Sequence, residues 1–588
     1  MCGIIGYIGN QKASPILLNG LKRLEYRGYE SCGLAVLNSG LEIKKDIGKV
    51  ADVDSKMNFI EMEGTIGMAH TRWATHGGVT KENAHPHTDC KNSIAVVHNG
   101  IIENYQELRK RLETAGHVFK SQTDTEIIPH LIEALIAEGN DFEQATKLCL
   151  GMLEGSYAVL ALHKDERKLI ASRKGSPLVL GVSENGYFVA SDIPAFLEHT
   201  KQVMFLYDGD FVVLGDSIKI FNLIEEKEVQ RKIDSIEWDL EQSKKGEFEH
   251  YMMKEISEQV ETIQKAIKQE KIVLDYVTDE IRNAKGVFLI GCGTSYYACL
   301  AASYVFSKVA DMHVNVVLAS EFPYYEHFLN EKSLIVAVSQ SGETADLLEA
   351  VKTAKKKGSK VISLVNVMGS SLTRQSDKFL MLNAGPEICV ASTKAYTSQL
   401  AILTLLAYNI AGKQEEGKKK LEYLWNILYN LTSRNMRDNI KQLAEKLKGK
   451  EHIFLIGRGV QYPTALEAAL KIKEIPYIHA EAFAGAELKH GTIALIQDGT
   501  PCIVFVSEAH EKEILSNAME IKSRGGYMIG VSPQDNEIFD FWIKVPEANS
   551  ENPIVQIIPM QILAYQLAVL RGVDPDKPRN LAKAVTVK

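Results

Sequence analysis

An internal repeat in the second half constrains the fold most. Val287-Phe288-Leu289-Ile290-Gly291-Cys292-Gly293 recurs as Ile453-Phe454-Leu455-Ile456-Gly457-Arg458-Gly459, 166 residues downstream. Leu334–Ser339 recurs as Pro501–Ser507 at nearly the same offset, and Val361–Val365 recurs as Tyr527–Val531. Short continuous apolar runs separated by helix-length segments are the pattern of parallel strands buried on both faces. Three such runs in one register predict two tandem copies of a doubly wound α/β fold, at about 280–430 and 450–575. A helical stretch, 250–277, precedes the first copy.

Residues 1 to about 235 read differently. Short strands are predicted at 2–9, 33–38, 94–98, 157–163, 177–182, 186–192 and 211–215. Helices are predicted at 14–24, 105–115 and 124–136, the last opening Thr123-Asp124-Thr125-Glu126. This is an α+β layered domain. The polar stretch 230–248 reads as a linker. The 588 residues have a net charge of −8 without a basic face, which argues against nucleic acid. The lysine runs at 355–357 and 418–420 read as solvated helix ends. The sequence shows no apolar run of the roughly 18 residues that span a bilayer, and no signal peptide. Eight cysteines without CxxC spacing fit a reducing cytosol, and those other than Cys2 are expected to be inert.

Chemistry concentrates at the N-terminus. Removal of Met1 would leave Cys2 with both a thiol and a free α-amine. The amine titrates at about 7.7–8.0 and can act as a base for the thiol. Four local sequences surround this arrangement. His70-Thr71-Arg72-Trp73-Ala74-Thr75-His76-Gly77 offers Arg72 to a carboxylate. Val97-His98-Asn99-Gly100 reads as a strand end supplying a side-chain amide and an unhindered N–H, the two parts of an oxyanion hole. Asp124 could hold an ammonium group, and Tyr26-Arg27-Gly28-Tyr29-Glu30-Ser31 is a turn beside the first helix. Singly, Arg72 could be a surface ion pair, Asn99-Gly100 a type I′ turn and Asp124 a helix cap. Together they fit a substrate with an α-carboxylate, an α-ammonium and a side-chain amide, namely glutamine. His85, His87 and His98 read as loop and core residues, because no cysteine or carboxylate completes a ligand set.

In the second half, Gly291-Cys292-Gly293-Thr294-Ser295 and Ser339-Gln340-Ser341-Gly342-Glu343-Thr344 each follow a strand and open a helix. Hydroxyls and backbone N–H groups at a helix start favour an anion, and the absence of a Gly-Lys-Ser/Thr run favours a sugar phosphate over a nucleotide. The corresponding stretch of the second copy, Ser507-Glu508-Ala509-His510-Glu511, carries acids, so only the first copy is expected to hold phosphate. Lys471 and Glu474 share a helix face. His490 sits beside a glycine, and Lys583 lies in a small, apolar tail suited to an imine-forming amine.

The segments CGIIGYIG, LEYRGYES, HTRWATHG, HNGIIEN and SQTDTE resemble the glutaminase domain of class II amidotransferases. The segments CGTSY, SQSGETAD, ASTKA, ALKIKEI, ELKHG and PRNLAKAVTV resemble the sugar isomerase domains of the glutamine–fructose-6-phosphate aminotransferase family. The resemblance implies a multidomain chain. An N-terminal-nucleophile (αββα) glutaminase domain would occupy 1–235 and a linker with a helix 236–279. Two doubly wound sugar isomerase (SIS) domains would follow, at 280–449 and 450–588, the second carrying a catalytic tail. It implies Cys2 as nucleophile, Asn99 and Gly100 as oxyanion hole, Arg72, Thr75, His76 and Asp124 as glutamine contacts, and Trp73 as a gate. It implies that Thr294, Ser295, Ser339, Gln340, Ser341 and Thr344 hold the sugar phosphate, with Val390 and Ser392 nearby. Lys583 would form the Schiff base, Glu474 would move the C1/C2 proton with Lys471 as its charge partner, and His490 would open the ring.

The implied reaction turns D-fructose 6-phosphate and L-glutamine into D-glucosamine 6-phosphate and L-glutamate. It needs no metal and no organic cofactor. A cytoplasmic homodimer without membrane or nucleic-acid partners is expected. The alternatives are another class II amidotransferase and a non-catalytic sugar-phosphate sensor. The tandem repeat opposes the first, and Cys2 opposes the second.

Overall fold

The structure, a computed structural model, describes residues 2–74, 76–236 and 245–586. The chain divides into two compact units, 1–241 with 582–588, and 242–581.

Among the described residues, the first unit contains two sheets. One has eight strands in the order Ile233–Ser235, Gln202–Phe205, Val179–Ser183, Gly186–Ala190, Gly3–Gly9, Ile66–Arg72, Ser31–Leu37, Leu41–Ile47. The other has seven: Lys227–Glu228, Ile218–Asn222, Asp210–Leu214, Leu169–Lys174, Gly155–His163, Ile94–Ile102, His87–Thr88. Pairing around the central strands is antiparallel.

Side-chain parity makes the layers, because successive residues of a strand point to opposite faces. Ile4 and Ile8, with Met68 opposite Gly6 on the same face, join Ala95, Val97, Leu160 and Leu162 in the core between the sheets. Ile5 and Tyr7 face the other way, onto helix Ala13–Leu24. The second sheet turns Val96 and Val159 onto helices Ile127–Ala137 and Phe142–Gly151. The order is helix, sheet, sheet, helix. Gly6 lies where the sheets approach, since a Cβ there would come within 2.8 Å of Leu160 and Leu169.

Three expectations need correction. Residues 233–235 are an edge strand paired with Gln202–Phe205, not linker; of the expected linker, 237–244 lie outside the described residues. Asn99-Gly100 does not end its strand, which runs on to Ile102, with Asn99 opposite Ala158. Gly100 holds φ at +131° there, and a Cβ would stand 2.0 Å from the Ser156 carbonyl. The helix expected from Asp124 starts at Ile127, and Asp124 does not cap it.

The second unit carries two five-stranded parallel sheets. The first is ordered Asn315–Leu318, Gly286–Gly291, Ser333–Ser339, Lys360–Val365, Lys378–Met381. The second is His479–Ala484, His452–Gly457, Pro501–Phe505, Tyr527–Ser532, Phe541–Lys544. Both have the doubly wound order 2-1-3-4-5, which creates a crevice beyond the carboxyl ends of the first and third strands. The repeat read from the sequence is therefore a repeat of topology. The stretch expected to be one helix from 250 is two, Tyr251–Ala266 and Lys271–Asn283.

One apolar cluster joins both sheets through helices Thr294–Ala310, Lys394–Ile410, Gln461–Glu474 and Asn552–Leu570. The last of these corrects another expectation. Residues 549–570 are long and apolar enough to cross a bilayer, but 83% of that window is buried inside the protein.

Candidate active sites

Cys2 immediately precedes strand Gly3–Gly9, and the parity that buries Ile4 between the sheets carries over to it. Asn99 continues the same face as Val97, and His70 the face of Met68. Three polar side chains thus cap the inter-sheet core at one end. The Asn99 Nδ2 donates to the Cys2 carbonyl at 2.9 Å. His70 Nε2 is 3.0 Å from Asn99 Oδ1 and 3.1 Å from the His98 carbonyl. Both of those are acceptors, so His70 must carry its proton on Nε2. Burial pushes the His70 pKa down to about 3, so the ring is neutral. His70 therefore fixes which end of the Asn99 amide is NH₂ and turns it toward Cys2.

The half-buried Cys2 thiol lies against the next strand end: the Trp73 N–H donates to Sγ at 3.2 Å, and the thiol donates to the Trp73 carbonyl at 3.4 Å. Burial raises its pKa above the ordinary thiol value, outweighing the Trp73 N–H and the Arg72 charge, which lower it; the Asp124 charge raises it further. A thiol held up in this way needs a proton acceptor before it can attack.

Arg72 ends its strand buried. It donates to the carbonyls of Gly78 at 3.0 Å, His76 at 2.6 Å and Gly77 at 3.1 Å. Three of its five N–H groups thus shape the 76–78 loop, and the other two have no partner among the described residues. Glu30 braces the same segment: its N–H donates to the Arg72 carbonyl at 3.2 Å, and its carboxylate accepts from Ala74 N–H at 2.7 Å. Gly28 is needed because a Cβ would meet the Arg72 backbone at 2.8 Å. Trp73 packs edge-on against Tyr29. His76 packs edge-on against Tyr105. Thr75 lies outside the described residues.

Asp124 is 4% exposed and accepts from Ile102 N–H at 2.8 Å, which ties its loop to the Asn99 strand. His98 and His87 hold the same loop through the Thr125 and Thr123 hydroxyls, and His85 stacks on His70 at 4.0 Å. These histidines are core braces, as expected.

In the second unit, Thr294 and the 339–344 loop sit at the carboxyl ends of the two adjacent central strands of the first sheet. This is the crevice of the doubly wound order. Gly342 turns the loop at φ +68°, where a Cβ would stand 2.1 Å from Ser370 Oγ. Ser339 Oγ accepts from Gly342 N–H at 2.9 Å, and Ser341 Oγ from Glu343 N–H at 3.2 Å, while the Gln340 carbonyl accepts from Asn366. Thr344 stands at the N-terminus of helix Ala345–Lys356 without a capping bond from its hydroxyl. Ser295 is turned inward, accepting from Gln399 at 3.0 Å. Val390 is buried, and Ser392 donates to Glu387 at 3.2 Å. In the second copy, Glu508 N–H is already taken by the Glu547 carboxylate at 3.0 Å, and Ser507 donates to Gln461.

Helix Gln461–Glu474 supplies a charged cluster. Lys471 Nζ is fully buried, 3.2 Å from Glu467 Oε1, 3.1 Å from Thr294 Oγ1, and paired with Glu474. Burial raises the Glu467 pKa to about 7 despite Lys471, and the second Glu467 oxygen has no partner among the described residues. Lys471 is shifted upward: its two carboxylates outweigh desolvation. Sequence reasoning missed Glu467, whose only signal was its i, i+4 spacing to Lys471. It also missed His70. His490 lies exposed on the short turn Glu487–His490. Lys583 is half-buried and falls in the 582–588 segment that groups with the first unit.

The comparisons decide the relationship. A glutamine amidotransferase domain family matches residues 70–198, and the SIS domain family matches 280–408 and 446–571. "Glutamine--fructose-6-phosphate aminotransferase [isomerizing]" of Pyrococcus horikoshii is 47% identical, with 100% of both chains covered. The chain belongs to the glutamine–fructose-6-phosphate aminotransferase family. The Thermococcus kodakarensis relative of the same name is 46% identical over 100% of both chains. A solved C-terminal domain of glucosamine-fructose-6-phosphate aminotransferase from Francisella tularensis matches 57% of this chain and all of its own, with TM-score 0.53 and 37% identity.

Proposed function

We propose that this chain moves the amide nitrogen of L-glutamine onto D-fructose 6-phosphate, giving D-glucosamine 6-phosphate and L-glutamate, the first step of amino-sugar synthesis. The observation that carries the reading is the Asn99 amide, locked by His70 with its NH₂ toward Cys2. Removal of Met1 frees the Cys2 α-amine, which takes the thiol proton. The thiolate adds to the glutamine amide carbon. Asn99 Nδ2 and the Gly100 N–H stabilise the resulting oxyanion. Ammonia leaves, and water hydrolyses the thioester to glutamate. Arg72 faces the α-carboxylate and Asp124 the α-ammonium, with Thr75, His76 and Trp73 completing the pocket.

In the second unit, Ser339, Gln340, Ser341 and Thr344, with Thr294, hold the phosphate at the helix start. Ser295 supports that wall from inside, and Val390 and Ser392 line it. Lys583 captures the open ketose as an imine after His490 assists ring opening. Ammonia then replaces the Lys583 Nζ in that imine, freeing the lysine amine, and Glu474, held by Lys471, carries the proton from C1 to C2. The enzyme works as a cytoplasmic homodimer. The test is direct: the purified chain with both substrates should release glutamate and glucosamine 6-phosphate in equal amounts. Glutamate without amino sugar, or no turnover of either substrate, would overturn the reading.

A further inference from the structure

A cluster away from both sites has the composition of a metal centre. Cys90 lies between strands His87–Thr88 and Ile94–Ile102, His117 follows helix Tyr105–Thr114, and His130 and Glu133 stand one turn apart on helix Ile127–Ala137. The four donor atoms lie within 4.8 Å of one another. His117 Nδ1 and His130 Nδ1 are 3.2 Å apart, and Cys90 Sγ is 3.8 and 3.5 Å from them. Glu133 Oε2 is 3.1 Å from His117 Nδ1 and 3.7 Å from His130 Nδ1.

Those separations are the edges of a coordination tetrahedron. Bonds of about 2.0–2.1 Å to nitrogen and oxygen and about 2.3 Å to sulfur give N···N and N···O edges of about 3.3 Å and S···N edges of about 3.6 Å. The surroundings fit as well. Cys90 N–H donates to Glu133 Oε2 at 3.2 Å. The far nitrogen of His130 faces Glu126 Oε1 at 3.7 Å, and Glu126 is itself anchored by Lys120 and Ser121 N–H groups. A carboxylate behind a ligating histidine orients the ring and raises its basicity. The side chains of His117, His130 and Glu133 are only 12%, 1% and 11% exposed, with Cys90 at the outer side.

We propose that Cys90, His117, His130 and Glu133 bind one Zn²⁺ as a closed structural site. A thiolate and two imidazoles select zinc over magnesium or calcium. Thiolate and carboxylate together neutralise the divalent charge. Binding displaces the Cys90 thiol proton to solvent. The site clips the turn at residue 90 to the loop between 115 and 126, whose far end carries Asp124. Irregular spacing hid these partners in the sequence: Cys90 is exposed and lies beside His117 and His130, unlike the buried Cys32, Cys149, Cys299, Cys389 and Cys502.

The test uses the untagged full chain, purified under reductant without chelator. Elemental analysis should find one zinc per chain. After chelation, Co²⁺ titration should give the intense visible bands of tetrahedral cobalt and a near-ultraviolet thiolate charge-transfer band. Cys90→Ser, at an exposed position that the core does not need, should lose the charge-transfer band and bind at least about tenfold more weakly. His117→Ala should lose the tetrahedral bands. Absence of a tetrahedral cobalt spectrum in the unaltered chain overturns the proposal, as does a charge-transfer band unchanged in Cys90→Ser.

Discussion

Replacing Asn99 with alanine isolates oxyanion stabilisation from folding. The side chain makes two bonds, one donated to the Cys2 carbonyl at 2.9 Å and one accepted from His70 at 3.0 Å. The His70 N–H keeps its second acceptor, the His98 carbonyl at 3.1 Å, so truncation leaves that buried donor satisfied. The stability cost should then stay near that of one ordinary hydrogen bond, about 1 kcal/mol. The catalytic cost is larger, because the NH₂ works hardest when charge develops on the amide oxygen. Loss of one such donor is worth about 2.7–4 kcal/mol, or roughly 10²–10³ in kcat. The glutamine KM should change little. The assay is glutamate release under saturating glutamine, beside a thermal melt of both proteins. Asn99→Asp provides the second arm: it keeps an acceptor for His70 but sets an oxygen against the Cys2 carbonyl, so it should be as impaired as alanine. A kcat within tenfold of the unaltered enzyme for Asn99→Ala, with the fold intact, would refute the assignment.

Three further outcomes are expected. Glu467 has its folded pKa raised to about 7 by burial. Its ionisation opposes folding, so stability should fall as pH rises from about 4.5 through 7. Glu467→Gln should flatten that slope in melts between pH 5 and 8, and an unchanged slope would contradict the buried-acid reading. Ser341→Ala or Thr344→Ala should raise the KM for fructose 6-phosphate severalfold while sparing that for glutamine; equal effects on both would place the phosphate elsewhere. Borohydride added with fructose 6-phosphate should fix sugar to the peptide containing Lys583, and label on Lys394 or Lys471 instead would remove Lys583 from its role.

The tandem α/β half was legible because parallel strands buried on both faces leave unbroken apolar runs, as in Phe288–Ile290 and Phe454–Ile456. The antiparallel half was read less completely. Edge strand Leu41–Ile47 carries acid and lysine side chains and is mostly half-exposed, so it looks like loop. Central strand Ile66–Arg72 is wholly buried, but its polar last residues drew attention as a motif and hid the strand. Helix Phe142–Gly151 was missed although Asp141 caps it, accepting from Gln144 N–H at 2.7 Å. Glu467 stayed hidden because a glutamate in mid-helix ordinarily faces water, and only tertiary burial against Thr294 makes it unusual.

The glutaminase site was nearly readable from strand parity alone. Cys2 is two residues before Ile4, His70 two after Met68, and Asn99 two after Val97, and all three reference residues lie in the core between the sheets. Each strand therefore passes from an apolar to a polar side chain on the same face. Pairing fixes the levels, because Ile4 sits opposite His70. The arrangement makes the chemistry depend on register. A slip of one residue in Ile94–Ile102 would turn Asn99 out of the inter-sheet layer and put His98 or Gly100 in its place. Neither has a side-chain amide to donate to the Cys2 carbonyl as Asn99 does. The apolar core below thus does more than hold the sheets together: its alternation sets which side chains reach Cys2.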